Sequence, residues 1–298
     1  MNESLPATNR YSRALNDVEP LIVEGEQGSK IALYRISASS LVSPIPIVLT
    51  HGTFSNGAIC FQLAHYLADN GYDCWIYEWV GHGKSEFGSL CPDVEKYAAH
   101  DVSLVIDRIK AATNSPNLHW LAHSGGGFLP LMLMARRPEA VPDFRTVINL
   151  GSQTTEAGRG ISGKMMVGIM FVLCHLLGYA PGPQLGAGPE REFHGFIPQW
   201  CRWNWSGRWR GVDGFDYFQN LSHIQVPTLS FAGRGDVIAP VEGCNRLWSE
   251  LPHPDNRFYT CGKFEGFSED FNHSRLIASR AAATEIWPKI LVWLQQYS

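Results

Sequence analysis

Apolar runs of strand length alternate with helical patterns along most of this chain. The runs at residues 45–50, 73–78, 118–122 and 144–150 are largely apolar, and the segments between them carry apolar residues at helical spacing. Near-continuous apolar strands suit a parallel sheet that is covered on both faces. The alternation therefore predicts an α/β fold with a mostly parallel, doubly wound sheet.

The alternation stops between residues 152 and 214. This stretch contains an apolar helical run, a Gly/Pro-rich piece at 178–189 and a Trp-rich piece, but no strand-like run. Strand and helix patterns resume at residue 227. An insertion of this length into an α/β domain is typical of a cap or lid. We therefore expect a core domain formed by residues 1–151 and 215–298, with a helical cap at 152–214 inserted after the sixth strand.

A buried strand leads directly into a serine among small residues at 118–127, LHWLAHSGGG. This pattern predicts a nucleophile elbow, a strained strand-to-helix turn that presents one hydroxyl to a cleft. The first glycine of the Gly-x-Ser-x-Gly pattern is Ala122 here. Alanine is small enough for the close packing of strand and helix at that position. Ser124 is therefore the predicted nucleophile.

A serine nucleophile needs a histidine base and a carboxylate that orients it. Asp236 follows the strand-like run at 227–232, and His273 follows the last strand-like run. The order Ser, Asp, His is that of the α/β-hydrolase fold. His253 competes as the base, and Asp213 and Asp216 compete as the acid, but all three precede the strands that they would have to follow.

The loop that follows the strand at 45–50 reads His51-Gly52-Thr53-Phe54. Acyl transfer needs N–H donors aimed at the developing oxyanion. The backbone N–H groups of Thr53 and Gly125 are the predicted pair. His51 is expected to satisfy backbone groups within its own loop.

These motifs together resemble α/β-hydrolases of the lipase and esterase type, over residues 45–150 and 227–294. The resemblance implies a serine hydrolase that cleaves carboxylic esters through an acyl-enzyme, without a metal or an organic cofactor. The same three residues could also serve a thioesterase, an amidase, a carbon–carbon hydrolase or an acyltransferase. A non-catalytic ligand-binding protein of this fold is less favoured, since no member of the Ser-His-Asp set is missing.

Four residues near these motifs are candidates for substrate contact. Phe54 lies beside the predicted donor loop, His123 precedes the serine, and Trp200 and Trp203 belong to the Trp-rich piece. An apolar, Trp-rich cap favours an apolar acyl or aromatic ester. The alternative is that the tryptophans fasten the cap to the core and that His123 packs beneath the cap.

The turn Gly81-His82-Gly83-Lys84-Ser85 superficially resembles a phosphate loop, but Glu78 stands where that motif requires glycine. His82 is expected to satisfy backbone groups of this turn. A net charge of −4 gives no electrostatic case for a nucleic-acid partner. The seven cysteines form no CxxC pair, so no zinc site is predicted.

Three further features concern the compartment. An odd, unpatterned set of cysteines fits a reducing environment, and the N-terminus lacks the pattern of a signal peptide. The longest apolar run, residues 165–177, is shorter than the roughly 20 residues of a spanning helix. We therefore expect a cytoplasmic protein whose apolar run forms a buried or interfacial helix, with transient contact to a lipid interface left open.

Overall fold

The chain folds around one eight-stranded sheet in a computed structural model that describes residues 15–89 and 93–298. Ten strands are present in this part of the chain: β1 (Leu21–Glu24), β2 (Lys30–Ile36), β3 (Ile47–Thr50), β4 (Cys74–Tyr77), β5 (Leu118–His123), β6 (Phe144–Leu150), β7 (Tyr179–Ala180), β8 (Glu192–Phe193), β9 (Thr228–Gly233) and β10 (Arg257–Cys261). The sheet order is β1-β2-β4-β3-β5-β6-β9-β10. Strand β2 is antiparallel to β1 and β4, and the remaining neighbours are parallel.

Helices cover both faces of this sheet. The longer ones are α1 (Phe61–Asp69), α2 (Val102–Thr113), α3 (Leu129–Arg136), α4 (Gly160–Leu177), α5 (Ile197–Ser206), α6 (Val241–Ser249), α7 (Arg280–Glu285) and α8 (Trp287–Gln296). Apolar residues of α1 and α8 belong to one buried cluster, and those of α2 and α3 belong to another. The predicted α/β architecture is confirmed.

The strand order brings the predicted site loops to one edge. Strand β4 lies on one side of β3 and β5 on the other, so the chain winds in opposite directions from the centre of the sheet. The loops that leave β3 and β5 therefore diverge and open a crevice at the carboxyl ends of the strands, where α/β sheets bind ligands. All residues of β3 and β5 are buried, as expected for central strands.

The chain leaves the sheet after β6 and returns at β9. This inserted segment, residues 151–227, holds α4, α5 and the two-stranded sheet in which Tyr179 pairs with Phe193 and Ala180 with Glu192. The prediction that the stretch lacks strands is therefore wrong, because two-residue strands in a Gly/Pro-rich sequence carry no readable alternation. The boundaries predicted for the cap stay a prediction.

Helix α4 differs from the expectation for the apolar run. It begins at Gly160 rather than Met165, and its buried residues are Val167 and Cys174. It is the one helix in the described ranges that is long and apolar enough to cross a membrane, with a mean hydropathy of 1.7 and 11% of its residues buried. Of the two forms expected, a buried or an interfacial helix, the buried form is wrong, because most of the apolar side chains face solvent.

Candidate active site

Ser124 occupies a strained turn between β5 and α3. Its φ of 54° lies in the left-handed region that side chains other than glycine rarely adopt. The following residues are glycines for a steric reason: a Cβ on Gly126 would lie 2.5 Å from the His51 carbonyl oxygen, and one on Gly127 would lie 2.1 Å from Ser152 Oγ. The turn therefore presents the Ser124 hydroxyl while its flanks pack against neighbouring backbone.

The departure from the elbow pattern at Ala122 has a structural explanation. Ala122 is fully buried, and a Cβ on Gly126 would lie 3.2 Å from its methyl group. Because Gly126 has no side chain, the two positions share space that holds one methyl group without crowding. Alanine thus satisfies the requirement for a small residue.

Ser124, His273 and Asp236 form a continuous chain of hydrogen bonds. The Ser124 hydroxyl donates to His273 Nε2 over 2.8 Å, and His273 Nδ1 donates to Asp236 Oδ2 over 2.7 Å. The buried Asp236 accepts two further bonds at Oδ1, from the backbone N–H groups of Ile238 at 2.9 Å and Ala239 at 2.8 Å. These bonds fix the carboxylate and leave one of its oxygens for the histidine. The structure thus brings the three predicted residues together.

The loop that follows β6 packs against this hydrogen-bonded chain. Gly151 has a φ of 64°, and a Cβ there would lie 3.2 Å from Asp236 Oδ2 and 3.3 Å from His273 Nδ1. The Ser152 hydroxyl donates to the Ser124 carbonyl oxygen over 2.7 Å. The absence of a side chain at 151 therefore leaves room for the imidazole and the carboxylate.

His123 supports the loop of the candidate base. Its Nε2 donates to the His273 carbonyl oxygen over 2.9 Å, and the two rings lie 4.6 Å apart. Burial, followed by the neighbouring His273, lowers the pKa of His123 to about 3. The ring is therefore neutral. It packs beneath the His273 loop, rather than beneath the cap as one interpretation of the sequence had it.

The predicted donor loop rests directly against the serine. A Cβ on Gly52 would lie 2.4 Å from Ser124 Cβ and 3.1 Å from the Gly125 backbone nitrogen, so glycine alone fits at that position. Thr53 and Gly125 line the same small cavity as Ser124. The two predicted donors are thus neighbours of Ser124.

A carboxylate from the inserted segment holds the next residue of this loop. Phe54 has a φ of 61°, its N–H donates to Glu192 Oε2 over 3.1 Å, and its carbonyl oxygen accepts from the Glu190 N–H over 3.0 Å. His82 Nε2 donates to the same Glu192 oxygen over 3.3 Å, and the side chains of His82 and Glu192 are fully buried. The strained Phe54 backbone is therefore clamped by β8.

The pKa values of the two predicted structural histidines are shifted in opposite directions. His51 Nδ1 donates to the Gly52 carbonyl oxygen over 2.8 Å and Nε2 accepts the Trp79 N–H over 3.2 Å, and burial holds the pKa of His51 well below its usual value. Burial also lowers the pKa of His82, but the charge and hydrogen bond of Glu192 outweigh it and raise the net value. His82 thus links its turn to the inserted segment, a contact that the sequence did not indicate.

The cavity above Ser124 is small. Its volume is about 20 Å³, and its lining includes Thr53, Gly125, Phe128, Trp200 and Ile238. A space of this size holds about one water molecule. An ester is far larger, so side chains at the mouth must move before a substrate reaches the serine.

Of the four predicted substrate contacts, Trp200 alone lines this cavity. Phe54 is turned into the interface with the inserted segment, where it closely approaches Gly182 and Gly188. Trp203 is buried, packs edge-on against Phe128 at 5.8 Å and donates to a backbone carbonyl. Trp203 therefore fits the alternative in which tryptophans fasten the cap to the core.

The competing residues lie outside the hydrogen-bonded chain. Asp213 pairs with Arg136 over 2.8 Å, and Asp216 pairs with Arg210 over 3.2 Å. His253 Nδ1 accepts a backbone N–H in the turn before β10. Residues 15–89 and 93–298 contain no group of three or more side chains able to hold a metal ion.

The turn that resembles a phosphate loop holds a protein carboxylate instead. Glu78 accepts N–H groups from Gly57 at 3.0 Å and Lys84 at 2.8 Å, and a Cβ on Gly83 would lie 2.0 Å from its Oε1. Burial raises the pKa of the Glu78 carboxyl, while the hydrogen bonds from Lys84 and Gly57 oppose that shift. The Glu78 carboxylate therefore occupies the space that a bound phosphate would need.

Glu190, Glu192, Gln153 and Ile238 contribute to the site without having been predicted. The two glutamates lie in an irregular stretch with no periodicity, so nothing in the sequence assigned them a partner. Ile238 was within reach of prediction, because an aspartate in a turn often accepts N–H groups two residues further along the chain.

Comparison with known proteins agrees with this fold. A model of the α/β hydrolase fold family matches residues 45–155. Lipase 1 of Drosophila melanogaster is 28% identical over 131 residues, which cover 39% of this chain and 29% of the fly protein. The chain thus spans less than a third of that lipase.

Solved structures match over nearly the whole chain. A thermophilic esterase from Thermogutta terrifontis superposes with a TM-score of 0.66 at 14% identity, covering 94% of this chain and all of the esterase. A monoacylglycerol lipase from Paleococcus ferrophilus gives a TM-score of 0.63 at 20% identity, covering 89% of this chain and 99% of the lipase. The chain is therefore an α/β-hydrolase-fold protein, similar in structure to esterases and lipases.

Proposed function

We propose that this protein hydrolyses carboxylic esters that carry an apolar acyl or aromatic group, through an acyl-enzyme on Ser124. The observation that carries the proposal is the hydrogen-bonded chain from Ser124 through His273 to Asp236, with the serine at a left-handed φ. The fold, which is similar to those of esterases and lipases, supports a hydrolase.

Acylation begins at the serine hydroxyl. Ser124 Oγ attacks the carbonyl carbon while its proton passes to His273 Nε2. Asp236 holds the proton on His273 Nδ1 and stabilises the imidazolium that forms. The bond between the acyl carbon and the alcohol oxygen then breaks, and the leaving alcohol takes the proton from His273 Nε2.

Deacylation repeats the same proton transfers with water. His273 Nε2 takes a proton from a water molecule, whose oxygen attacks the acyl carbon. The ester bond to Ser124 Oγ breaks, and the proton returns from His273 to the serine. The carboxylic acid leaves, so the cycle needs water alone as co-substrate.

The backbone N–H groups of Thr53 and Gly125 stabilise the oxyanion in both steps. This assignment is supported by the position of both residues in the lining of the cavity above Ser124. A single donor of this kind is worth about 2.7–4 kcal/mol in a serine protease where it has been removed. The loss of either donor position would therefore lower kcat far more than it changes KM.

The preference for an apolar substrate rests on the cavity wall. Phe128, Trp200 and Ile238 face the space next to the serine, and none of them carries a charge. Trp200 comes from α5 and Ile238 from the loop that follows β9. In this proposal these two side chains move to admit the substrate, since the glycines of the elbow have no side chains that could move aside.

The direct test is turnover of p-nitrophenyl esters from acetate to dodecanoate. Wild-type protein is expected to hydrolyse at least part of the series, and the Ser124→Ala variant, with unchanged circular dichroism, is expected to lose turnover. Turnover that survives in Ser124→Ala would overturn the mechanism. Matched thioesters and amides of the best acyl group separate ester hydrolysis from the other reactions open to the same residues.

A further inference from the structure

Helix α4 presents an apolar stripe to solvent. Ile161, Met165, Ile169, Val172 and Leu176 follow one another at intervals of three or four residues, so they share one face of the helix. Their exposed fractions are 90%, 63%, 54%, 54% and 76%. A contiguous patch of this kind on a soluble surface marks an interaction site.

The stripe continues into an apolar groove between α4 and α5. The groove has a volume of about 490 Å³, and Val167, Phe171 and Trp205 are among the residues that line it. Trp205 is 56% exposed. Tryptophan side chains favour the boundary between hydrocarbon and water.

The charge around this surface is mainly positive. Residues 157–212 carry six lysines and arginines against Glu190 and Glu192, in a chain whose net charge is −4. Arg159 and Arg210 pair with acidic residues outside this range, which leaves four exposed basic side chains, those of Lys164, Arg191, Arg202 and Arg208. Both of those glutamates face the core, where they bind Phe54, Asn56 or His82. In the described part of the chain, no acidic side chain pairs with the exposed Lys164, so its charge remains available.

From this surface we infer that the inserted segment docks on an anionic lipid surface, with α4 lying in the plane of the interface. At 1.5 Å per residue, the 18 residues of α4 extend about 27 Å, close to the roughly 30 Å of a hydrocarbon core, so its contacts with the protein decide its orientation. Val167 and Cys174 pack against the protein, which leaves one face for the lipid. An apolar face beside basic residues is the pattern of an interfacial helix.

A second copy of the chain fits this surface less well. A two-fold dimer would place the same face of both protomers in contact. Two segments with an excess of basic residues would then meet, and their repulsion would oppose the apolar contact. Anionic lipid headgroups complement this charge instead.

Helix α5 lies between the docking surface and the catalytic cavity. Trp200 lines the cavity above Ser124, whereas Trp205 lines the outer groove. The two tryptophans are five residues apart and therefore occupy different sides of the helix. Lipid docking thus contacts the helix that also carries part of the cavity wall.

The test is flotation of the full chain with vesicles, in a Ser124→Ala background so that binding is measured without turnover. One set of vesicles is pure phosphatidylcholine and the other contains about 30 mol% phosphatidylglycerol. The protein is expected to float with the anionic vesicles, and less with the neutral ones. Added salt should remove that difference, because it screens the headgroup charge.

Two variants separate the apolar and the electrostatic parts. The triple variant Ile161→Asn, Ile169→Asn and Leu176→Asn is expected to lose at least about tenfold in partitioning to both vesicle types. Lys164→Gln, which removes one positive charge, is expected to lose about fivefold on the anionic vesicles alone. All four residues are exposed, so the fold should persist.

A matched control changes three apolar residues of the core domain, Leu41→Asn, Phe264→Asn and Val292→Asn, which are 58%, 90% and 58% exposed. It should float within about twofold of the parent, since these residues lie outside α4. No flotation of the parent, or equal losses in both triple variants, would overturn the inference. The inference would also be overturned if light scattering showed a dimer that the α4 triple variant converts to a monomer, and the parent did not float.

Discussion

The carboxyl edge of the sheet and the inserted segment contribute to the candidate site in different ways. The edge carries the groups proposed to react, and it holds Ser124, His273 and Asp236 through hydrogen bonds of 2.7–2.8 Å and a strained backbone. The inserted segment brings Glu192 to the donor loop and Trp200 to the cavity wall.

In this account, the sheet edge carries out the reaction, and the inserted segment controls how substrates reach it. Changes at the sheet edge should abolish the reaction whatever the substrate, because they remove a reacting or orienting group. Changes in the inserted segment should alter rate and selectivity by smaller factors that depend on the acyl group. Variants in each region should therefore differ in the size of their effect on turnover.

The largest effect is expected at the candidate base and acid. His273→Ala and Asp236→Asn should each lower kcat by about 10⁴-fold, because the proton acceptor or its orientation is lost. The double variant should be no worse than the poorer single variant, since the residues act as a unit. The measurement is kcat on the best p-nitrophenyl ester.

The competing residues provide matched controls for that experiment. His253→Ala and Asp213→Asn change the same residue types outside the hydrogen-bonded chain and should leave kcat within about twofold of wild type. A large loss of kcat in either control variant, together with an active His273→Ala or Asp236→Asn, would show that the reaction does not take place at this edge of the sheet.

A loss of about tenfold in kcat is expected for Glu192→Ala. The variant removes the acceptor of the Phe54 N–H, and the donor loop then loses part of its alignment with the oxyanion. Glu192→Gln keeps an acceptor and should recover part of kcat, with KM little changed in both variants. Equal activity of Glu192→Ala and wild type would show that the clamp has no influence on the donors.

Trp200→Ala should change selectivity by several-fold rather than abolish turnover. It enlarges a cavity of about 20 Å³, so kcat/KM for long acyl esters should rise relative to acetate. Trp205→Ala, on the same helix but outside the cavity lining, should leave that ratio unchanged with soluble esters. Identical ratios in both variants would place the acyl site elsewhere.

The smallest effect is on stability and comes from His82. Its pKa is raised by Glu192, with a further contribution from Glu190, although burial opposes the shift. A histidine with a raised folded-state pKa stabilises the fold at low pH and loses that contribution as pH rises through the folded value. Wild-type Tm should therefore fall more steeply than that of His82→Gln as pH rises above about 6.5. Parallel Tm curves would contradict the buried ion pair.

The sheet and the three residues of the hydrogen-bonded chain could be predicted because each has a local signal. Apolar strand runs set the order of elements, and Ser124, Asp236 and His273 each follow a strand whose end must reach the same edge. The clamp from Glu192 had no such signal, because its two-residue strand has no period and its partners lie 138 and 110 residues away.

Helix α4 shows a different limit. Composition indicated an apolar helix, but apolar content alone does not decide whether such a helix faces the core or solvent. The outcome depends on which residues α5 covers, and α5 covers Val167 and Cys174 while the stripe from Ile161 to Leu176 stays outside. The apolar periodicity of one helix does not show which of its residues a neighbouring helix will cover.

The central claim is that Ser124 is the nucleophile, and trapping tests it most directly. Wild-type protein is treated with a fluorophosphonate, and the intact mass and peptide map are then measured. The account predicts one covalent adduct per chain, located on Ser124 and absent from Ser124→Ala and, at matched times, from His273→Ala. An adduct on another residue, or equal labelling of wild type and Ser124→Ala, would contradict it.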